Sequence, residues 1–337
     1  MRKHIIYVII LSFFINSCIT AHFIKQAYTK RNFNEKSEFE YDTEASFLWA
    51  NETIYGKYYE KVAILIPVIF NNTIDTFYMQ FDTGIPNTLL YERPLMIVNK
   101  QDTTIKQQIY EVNGKIYIKN PTFRIKGLGK FVADSLEIIR NGATDGYLIK
   151  NDSLAKKYDI SKDSIFIIGS FGYDLIVDKT FLFDFKNAKI SNLSKERLAY
   201  LKNIEYLKGA KSKRFPITIK TKINKKRYEL FYDSGSSLWD VLLQDKPWEK
   251  IRADKIDTLC CFEAWDEEIE IYKKQGNYKV IIGENSYENV FIYTSSKMYQ
   301  NKLGFKLLGI DGIIGNTLFL DKKILIDAKN NSVGIIK

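Results

Sequence analysis

The strongest constraint on how this chain folds is that it repeats itself. Residues 80–90 read QFDTGIPNTLL, and residues 231–243 read FYDSGSSLWDVLL. Each has an apolar or aromatic strand end, then Asp, a hydroxyl residue, Gly, a polar turn and an apolar return. A lone Asp-Ser-Gly is a common turn, because Asp and Ser bond back to their own backbone and Gly accepts conformations closed to other residues. Apolar runs on both sides are what a loop inside a core requires. A second pair recurs downstream in the same order. Ile167-Ile168-Gly169, in IFIIGSFGYDLIVDKTFLFDF, matches Ile313-Ile314-Gly315, in DGIIGNTLFLDKKILIDA. The interval from Asp to Gly is nearly equal in the two halves. Two ordered elements recurring together imply two homologous lobes. They join near Ser194, where SKERLAYLKN predicts a short helix with a Ser start.

The rest of the chain reads as strands. KVAILIPVIF (residues 61–70) is a short apolar run of strand length. Asn113-Gly114, inside QIYEVNGKIYI, is the strongest two-residue hairpin signal and has aromatic and β-branched residues on both sides. RFPITIKTKI, RYELFYDSG, YKVIIGENSYENVFIYT and KILIDAKNNSVGII continue the pattern. The composition agrees: 22 Tyr, 22 Phe and only 6 Pro among 337 residues, with aromatic side chains suited to a pleated, half-buried surface. Many short strands between Gly, Asn and Asp turns imply an all-β protein with few helices.

The first residues bear on the compartment. MRKHIIYVIILSFFINSC has a basic start, an apolar run from Ile5 to Ile15 and a small residue before Cys18. The run is short of the ~20 apolar residues that span a bilayer, so it reads as a secretory signal. Its end resembles a bacterial lipobox with Cys18 as the lipidated residue, although Asn16 replaces the usual small apolar residue. An ordinary signal peptide with a chance Cys is the alternative. The expected organisation is a lipoprotein signal over 1–17, a tether over 18–57 with a candidate edge strand at its end, one lobe over 58–200 and the second over 201–337. The expected place is the bacterial cell envelope, lipid-anchored to a membrane through Cys18.

Other features exclude chemistries. The formal charge is +10, but it comes mostly from Lys scattered among Asn, Ile and Tyr. That reads as a solvated surface, and no nucleic acid partner is expected. Cys260 and Cys261 are adjacent, and a bridge between neighbours would strain disulfide geometry. There is no CxxC spacing for a metal. The two histidines, His4 and His22, fall in the signal and the tether. The folded body therefore lacks Ser-His-Asp and Cys-His catalysis and His-dependent zinc sites. No metal and no cofactor are expected.

Asp82-Thr83-Gly84 with Ile167-Ile168-Gly169, and Asp233-Ser234-Gly235 with Ile313-Ile314-Gly315, resemble the pepsin-like aspartic peptidases. In that family each of two β lobes supplies one Asp-Thr/Ser-Gly and one apolar-apolar-Gly. The wording within each half looks more like bacterial retropepsin-like domains fused in tandem. The resemblance covers roughly Tyr58 to Lys337. It implies a bilobal, pepsin-like acid protease fold, with two homologous β-barrel-like lobes and an active-site cleft between them. It implies a monomer that hydrolyses peptide bonds in a peptide or protein substrate, with Asp82 and Asp233 as the catalytic dyad. Two carboxylates facing each other cannot both ionise easily, so they share one proton. The charged partner takes a proton from water while the protonated one donates to the scissile carbonyl.

Thr83 and Ser234 would lock the loops through crossed hydroxyl bonds, and Gly84 and Gly235 would bring amides near the carboxylates. Ile168, Gly169, Ile314 and Gly315 would brace the loops from behind. Asn113-Gly114, flanked by Tyr110 and Tyr117, is the candidate flap. Ser236 keeps the family's hydroxyl after the second Gly, whereas Ile85-Pro86 replaces it after the first, and the family's Tyr-Gly-Thr/Ser-Gly flap motif is absent. Loss of a hydroxyl bond at Ile85 predicts a raised dyad pKa and activity nearer neutral than acidic pH. The same departures support an alternative, an inactive pepsin-like lipoprotein serving as a peptide-binding or scaffolding module. A β-rich envelope protein of another fold, with coincidental DTG and DSG turns, is the third reading.

Overall fold

A computed structural model of the chain describes residues 36–54, 57–99, 102–139, 167–207, 209, 217–264, 267–296 and 302–337. The signal, Cys18 and half of the expected tether lie outside them. The described chain is all-β and bilobal, with a few short helices. Each lobe is built on one sheet whose central strands follow the same plan. In the first, the order is Lys57–Phe70, Phe77–Phe81, Ile167–Phe171, Leu89–Tyr91, Ser135–Ile139 and Lys115–Lys119. In the second it is Thr218–Ile223, Lys226–Tyr232, Gly312–Ile314, Val241–Leu243, Asn285–Ser295 and Glu267–Ile282. The pairing directions match as well. Phe77–Phe81 and Ile167–Phe171 are parallel, Ile167–Phe171 and Leu89–Tyr91 antiparallel, and Leu89–Tyr91 and Ser135–Ile139 parallel. The second lobe repeats this sequence of directions. There the first strand also pairs with Glu267–Ile282, which closes the sheet on itself.

Local sequence explains the strands. Val62 to Ile66 are all buried, so this run serves a strand covered on both faces. Thr218–Ile223 instead alternates buried and exposed residues as a strand with one wet face does. It turns at Asn224-Lys225, both at positive φ (45° and 73°). Asn113-Gly114 turns the Ile109–Val112 and Lys115–Lys119 hairpin with φ of 53° and 76°, the signature of a type I′ turn.

A third sheet joins the lobes. Its six strands run Ile204–Leu207, Ser332–Ile336, Lys323–Asp327, Thr180–Asp184, Lys189–Asn192 and Glu44–Ser46. At its centre Leu182 is paired with Leu325, and the strands on either side correspond one to one. A pseudo-twofold axis therefore passes between these leucines. The turns after the two central strands are copies of each other. Asp184 accepts from the amide and side chain of Asn187 (3.1 and 2.9 Å), and Asp327 does the same with Asn330 (3.2 and 2.6 Å). A phenylalanine cluster fastens this sheet to the first lobe, with Phe81 against Phe183 at 4.9 Å and Phe181 at 6.1 Å between ring centroids. Each such ring contributes roughly 1.5–3 kcal/mol by burial.

Residues 36–54, expected within the tether, form the strands Lys36–Phe39, Glu44–Ser46 and Leu48–Ile54. The second of these completes the interlobe sheet against Lys189–Asn192. The expected linker helix is Lys195–Tyr200, with the Ser194 hydroxyl accepting from Arg197 N at 3.0 Å. Asp42 accepts from the Ser194 hydroxyl (2.6 Å) and amide (3.0 Å), so the first strands are tied to the junction between lobes.

Candidate active site

The two Asp-hydroxyl-Gly loops meet across the pseudo-twofold axis. Thr83 N donates to Ser234 Oγ at 2.9 Å, and Ser234 N donates to Thr83 Oγ1 at 2.9 Å. Each hydroxyl then donates across the axis to the carbonyl preceding the opposite Asp, Thr83 to Tyr232 O and Ser234 to Phe81 O, both at 3.0 Å. Thr83 and Ser234 are completely buried, so these four bonds satisfy groups that water cannot reach. The glycines bring the loops close. A Cβ on Gly235 would lie 2.5 Å from Asp82 Cγ, and one on Gly84 would fall on the Asp233 carboxyl. No side chain larger than hydrogen fits either place. Gly84 N donates to Asp82 Oδ1 (2.7 Å) and Gly235 N to Asp233 Oδ1 (2.9 Å).

The brace behind the loops differs in register from the sequence expectation. Asp233 N donates to Ile314 O, and Asp82 N donates to Phe171 O, each at 2.9 Å. Phe171 is therefore the counterpart of Ile314, and Gly172 that of Gly315. Strand pairing agrees, since Phe171 is opposite Phe81 as Ile314 is opposite Tyr232. Ile168 and Gly169 lie three residues earlier along the same strand. Gly169 corresponds to Gly312, and a Cβ on either would collide with a carbonyl of the neighbouring strand, Leu89 or Leu242. The bracing triplet of the first lobe is Ser170-Phe171-Gly172. The signal that would have found it is the spacing Gly-x-x-Gly, present as Gly169 to Gly172 and as Gly312 to Gly315.

Each carboxyl packs against the glycine of the opposite loop, close enough for the two to act on each other, and both sit in a poorly solvated site. Burial raises Asp82, while the amides of Gly84 and Ile85 and the bond from Asp233 pull against it. Burial pushes Asp233 well above the usual carboxylate range, reinforced by the nearby Asp82 carboxyl and opposed by the amides of Gly235 and Ser236. Burial and the closeness of the two charges favour one proton held by the pair, which titrates as a unit. The residue after each Gly acts through its main-chain amide. Ile85 and Ser236 are thus equivalent at the carboxylate, and the expected loss of a hydroxyl bond at Ile85 is not what raises the pair. Tyr91 lies close to Asp82, with its hydroxyl 2.7 Å from Ser170 Oγ; burial lifts its pKa to about 12, so it stays neutral.

Two supports were not foreseen. In the first lobe Asp174, 3% exposed, accepts from Thr88 N (2.7 Å) and Thr88 Oγ1 (2.6 Å), and Thr88 Oγ1 in turn accepts from Gly172 N (3.1 Å). This clamp closes the loop that begins at Asp82. In the second lobe Asn316 does the equivalent work with different chemistry. Its amide nitrogen donates to Ser234 O (3.0 Å) and Ser237 Oγ (2.6 Å), and its oxygen accepts from Tyr232 OH (2.5 Å). Replacing Asp174 by Ala leaves the buried Thr88 amide unsatisfied. We expect a loss of about 2–4 kcal/mol in urea denaturation, and a smaller loss for Asp174→Asn, which keeps an acceptor. Equal costs for the two would remove Asp174 from this role.

The candidate flap forms the expected hairpin, with Tyr110 and Tyr117 stacked across it at 5.7 Å. Asn113 and Gly114 are exposed at its tip, and a Cβ on Gly114 would meet nothing within 4 Å. None of the four residues is hydrogen-bonded to the dyad. Tyr110 instead lines a groove of about 630 Å³ with Gln107, Lys119 and Asp134, away from both aspartates. Cys18 lies outside the described residues, as do the side chains of Cys260 and Cys261. Among the described residues no group of three or more His, Cys, Asp or Glu is arranged to hold a metal, and no helix is long and apolar enough to cross a membrane.

Two sheets of the same central plan, each presenting an Asp-hydroxyl-Gly loop to a shared axis, are the two homologous lobes expected from the repeat. No protein-family profile and no curated protein matches the chain. Among solved structures, an aspartic proteinase from Irpex lacteus matches 87% of this chain and 97% of its own, with 13% sequence identity and a TM-score of 0.44.

Proposed function

We propose that the protein is an aspartic endopeptidase, tethered to a bacterial envelope membrane through a lipid on Cys18. The observation that carries the catalytic part is the placement of Asp82 and Asp233 at the junction of two interlocked loops, each carboxyl against the glycine of the opposite loop. With one proton on the pair, ionised Asp82 is the general base toward a bound water, and protonated Asp233 is the acid toward the scissile carbonyl. The amides of Gly84, Ile85, Gly235 and Ser236 hold both carboxyls in place through this exchange. The lipid anchor rests on the residues around Cys18 alone. The inactive, peptide-binding alternative loses one of its supports, because Ile85 serves the carboxylate through an amide.

The test is digestion of a peptide library, with products read by mass spectrometry across pH. Two coupled carboxyls give a bell-shaped profile, since activity needs one proton on the pair. Both pKa values are raised, so the window lies above the ordinary Asp value of 3.8; an optimum below about 4 counts against the dyad as described. Stability follows the same titration. The folded state binds these protons more tightly than the unfolded chain. The contribution to stability is therefore full at low pH, and is lost as pH rises from the unfolded value through the raised folded ones. Melting temperature of the wild type should fall over that range relative to Asp233→Asn.

A further inference from the structure

We propose that Asn316 is a positioning residue for the aspartate pair: it holds the peptide unit whose N–H binds Asp233, and the Tyr232 hydroxyl fixes its side chain for that task. The inference rests on the peptide-cleaving reading above.

One continuous chain of hydrogen bonds runs from Tyr232 to Asp233. The Tyr232 hydroxyl donates to Asn316 Oδ1 at 2.5 Å, and Asn316 Nδ2 donates to Ser234 O at 3.0 Å. Ser234 O and Gly235 N belong to the same peptide unit, and Gly235 N donates to Asp233 Oδ1 at 2.9 Å. A peptide unit is planar, so fixing its oxygen fixes the direction of its N–H. Asn316 thereby aims the Gly235 amide at the carboxyl without touching the carboxyl itself. Each bond in such a chain polarises the next, which strengthens the last donor.

The neighbours of Asn316 set the orientation of its amide. Ser237 Oγ donates to Ser234 O at 3.0 Å and accepts from Asn316 Nδ2 at 2.6 Å. The amide nitrogen therefore faces two acceptors, and the amide oxygen faces one donor. Turning the amide over would set Oδ1 against Ser234 O, where neither can donate. Tyr232, Ser234 and Asn316 are completely buried, so water cannot replace a lost partner.

The first lobe is built differently. Phe81 stands where Tyr232 does, and has no hydroxyl. Tyr173 follows Gly172 as Asn316 follows Gly315, and its hydroxyl donates to Ala328 O at 3.2 Å. Gly84 N donates to Asp82 Oδ1 as Gly235 N does to Asp233, but no amide side chain follows Gly172 to hold the peptide that carries it. The arrangement thus acts on one aspartate only.

The consequence for pH has a definite sign. Burial raises Asp233 and the Gly235 amide opposes it. Loosening that amide lets Asp233 keep its proton to higher pH. The other titratable groups acting on the pair are Tyr91 and Tyr232; burial raises both, Tyr91 to about 12, so neither ionises in the working range.

The test is the pH profile of kcat/KM in Asn316→Leu and Tyr232→Phe, with folding checked by thermal melts. Asn316→Leu keeps the volume and loses the donors, and Tyr232→Phe removes only the hydroxyl that orients them. We expect the high-pH limb to move to higher pH in both, further in Asn316→Leu. There kcat should fall about tenfold while KM changes by less than about twofold. A purely structural role would lower the melting temperature and leave the limb in place. Tyr173→Phe, the first-lobe control, should not move it. The Asp233 carboxyl is followed without cleavage by carbon NMR of protein labelled at aspartate, its signal assigned by loss in Asp233→Asn. A midpoint raised in Tyr232→Phe, with no cleavage by the wild type, supports the positioning role and defeats the peptidase reading. Cleavage with limb and midpoint unmoved in folded Tyr232→Phe overturns the role and leaves the peptidase reading intact, even where Asn316→Leu fails to fold. An equal shift in Tyr173→Phe overturns it as well. Neither cleavage nor a moved midpoint defeats both.

Discussion

Asp82→Asn and Asp233→Asn are each expected to lower kcat/KM for a library-derived peptide by about 10³-fold or more. Asp82→Asn removes the base, because an amide cannot take a proton from water. Asp233→Asn removes the acid, because an amide holds its hydrogens at any working pH. The two variants should differ in stability. In the proposed roles Asp233 carries the proton, so its neutral amide replaces a neutral carboxyl and the fold at pH 7 should be as stable as the wild type or more so. Residual activity above about a tenth of the wild type in either variant would contradict the assigned roles. A thermal melt of each variant separates loss of chemistry from loss of structure.

The second large effect concerns the interlock. Thr83→Val keeps the shape of the side chain and deletes its hydroxyl. That hydroxyl accepts from Ser234 N and donates to Tyr232 O, and both of those groups are buried. Leaving them unpaired should cost about 2–4 kcal/mol, measurable by urea denaturation. Thr83→Ser retains both bonds and should cost well under half of that. Ser234→Ala removes the mirror-image pair, Thr83 N and Phe81 O. The double variant should be less destabilised than the sum of the singles, since each breaks part of one network. Additive effects would mean that the loops are held apart from this interlock, chiefly by their own lobes.

The repeat made much of this legible in the sequence. Asp, a hydroxyl residue and Gly in an apolar frame were enough to place both loops, and the resemblance to the pepsin-like aspartic peptidases implied the crossed hydroxyl bonds. The short hairpin at Asn113-Gly114 and the Ser194 cap were equally readable, because local turn and cap chemistry depends on adjacent residues. The brace was misplaced by three residues for a physical reason. IIGSFG contains two glycines, each preceded by apolar residues, and only parallel pairing with Phe77–Phe81 decides which one stands behind the loop. The clamps escaped detection because they join distant residues of unrelated type, Asp174 with Thr88 and Asn316 with Tyr232. Residues 36–54 read as tether because the run is rich in charged and polar side chains. Glu44–Ser46 is nonetheless a strand, completed by long-range pairing to Lys189–Asn192.

Leu182 paired with Leu325 marks an axis that relates two halves of one polypeptide. Two identical subunits around such an axis would have two microstates of equal energy, with the shared proton on either aspartate. Covalent fusion lifts that degeneracy. Behind Asp82 stand Phe171 and the Asp174–Thr88 clamp, and behind Asp233 stand Ile314 and the Asn316–Tyr232 clamp. The surroundings of the two aspartates therefore differ, and symmetry no longer requires the two placements of the proton to be equal in energy. A fused chain can therefore commit one aspartate to each task before substrate arrives, where a symmetric dimer would acquire that distinction only from the ligand.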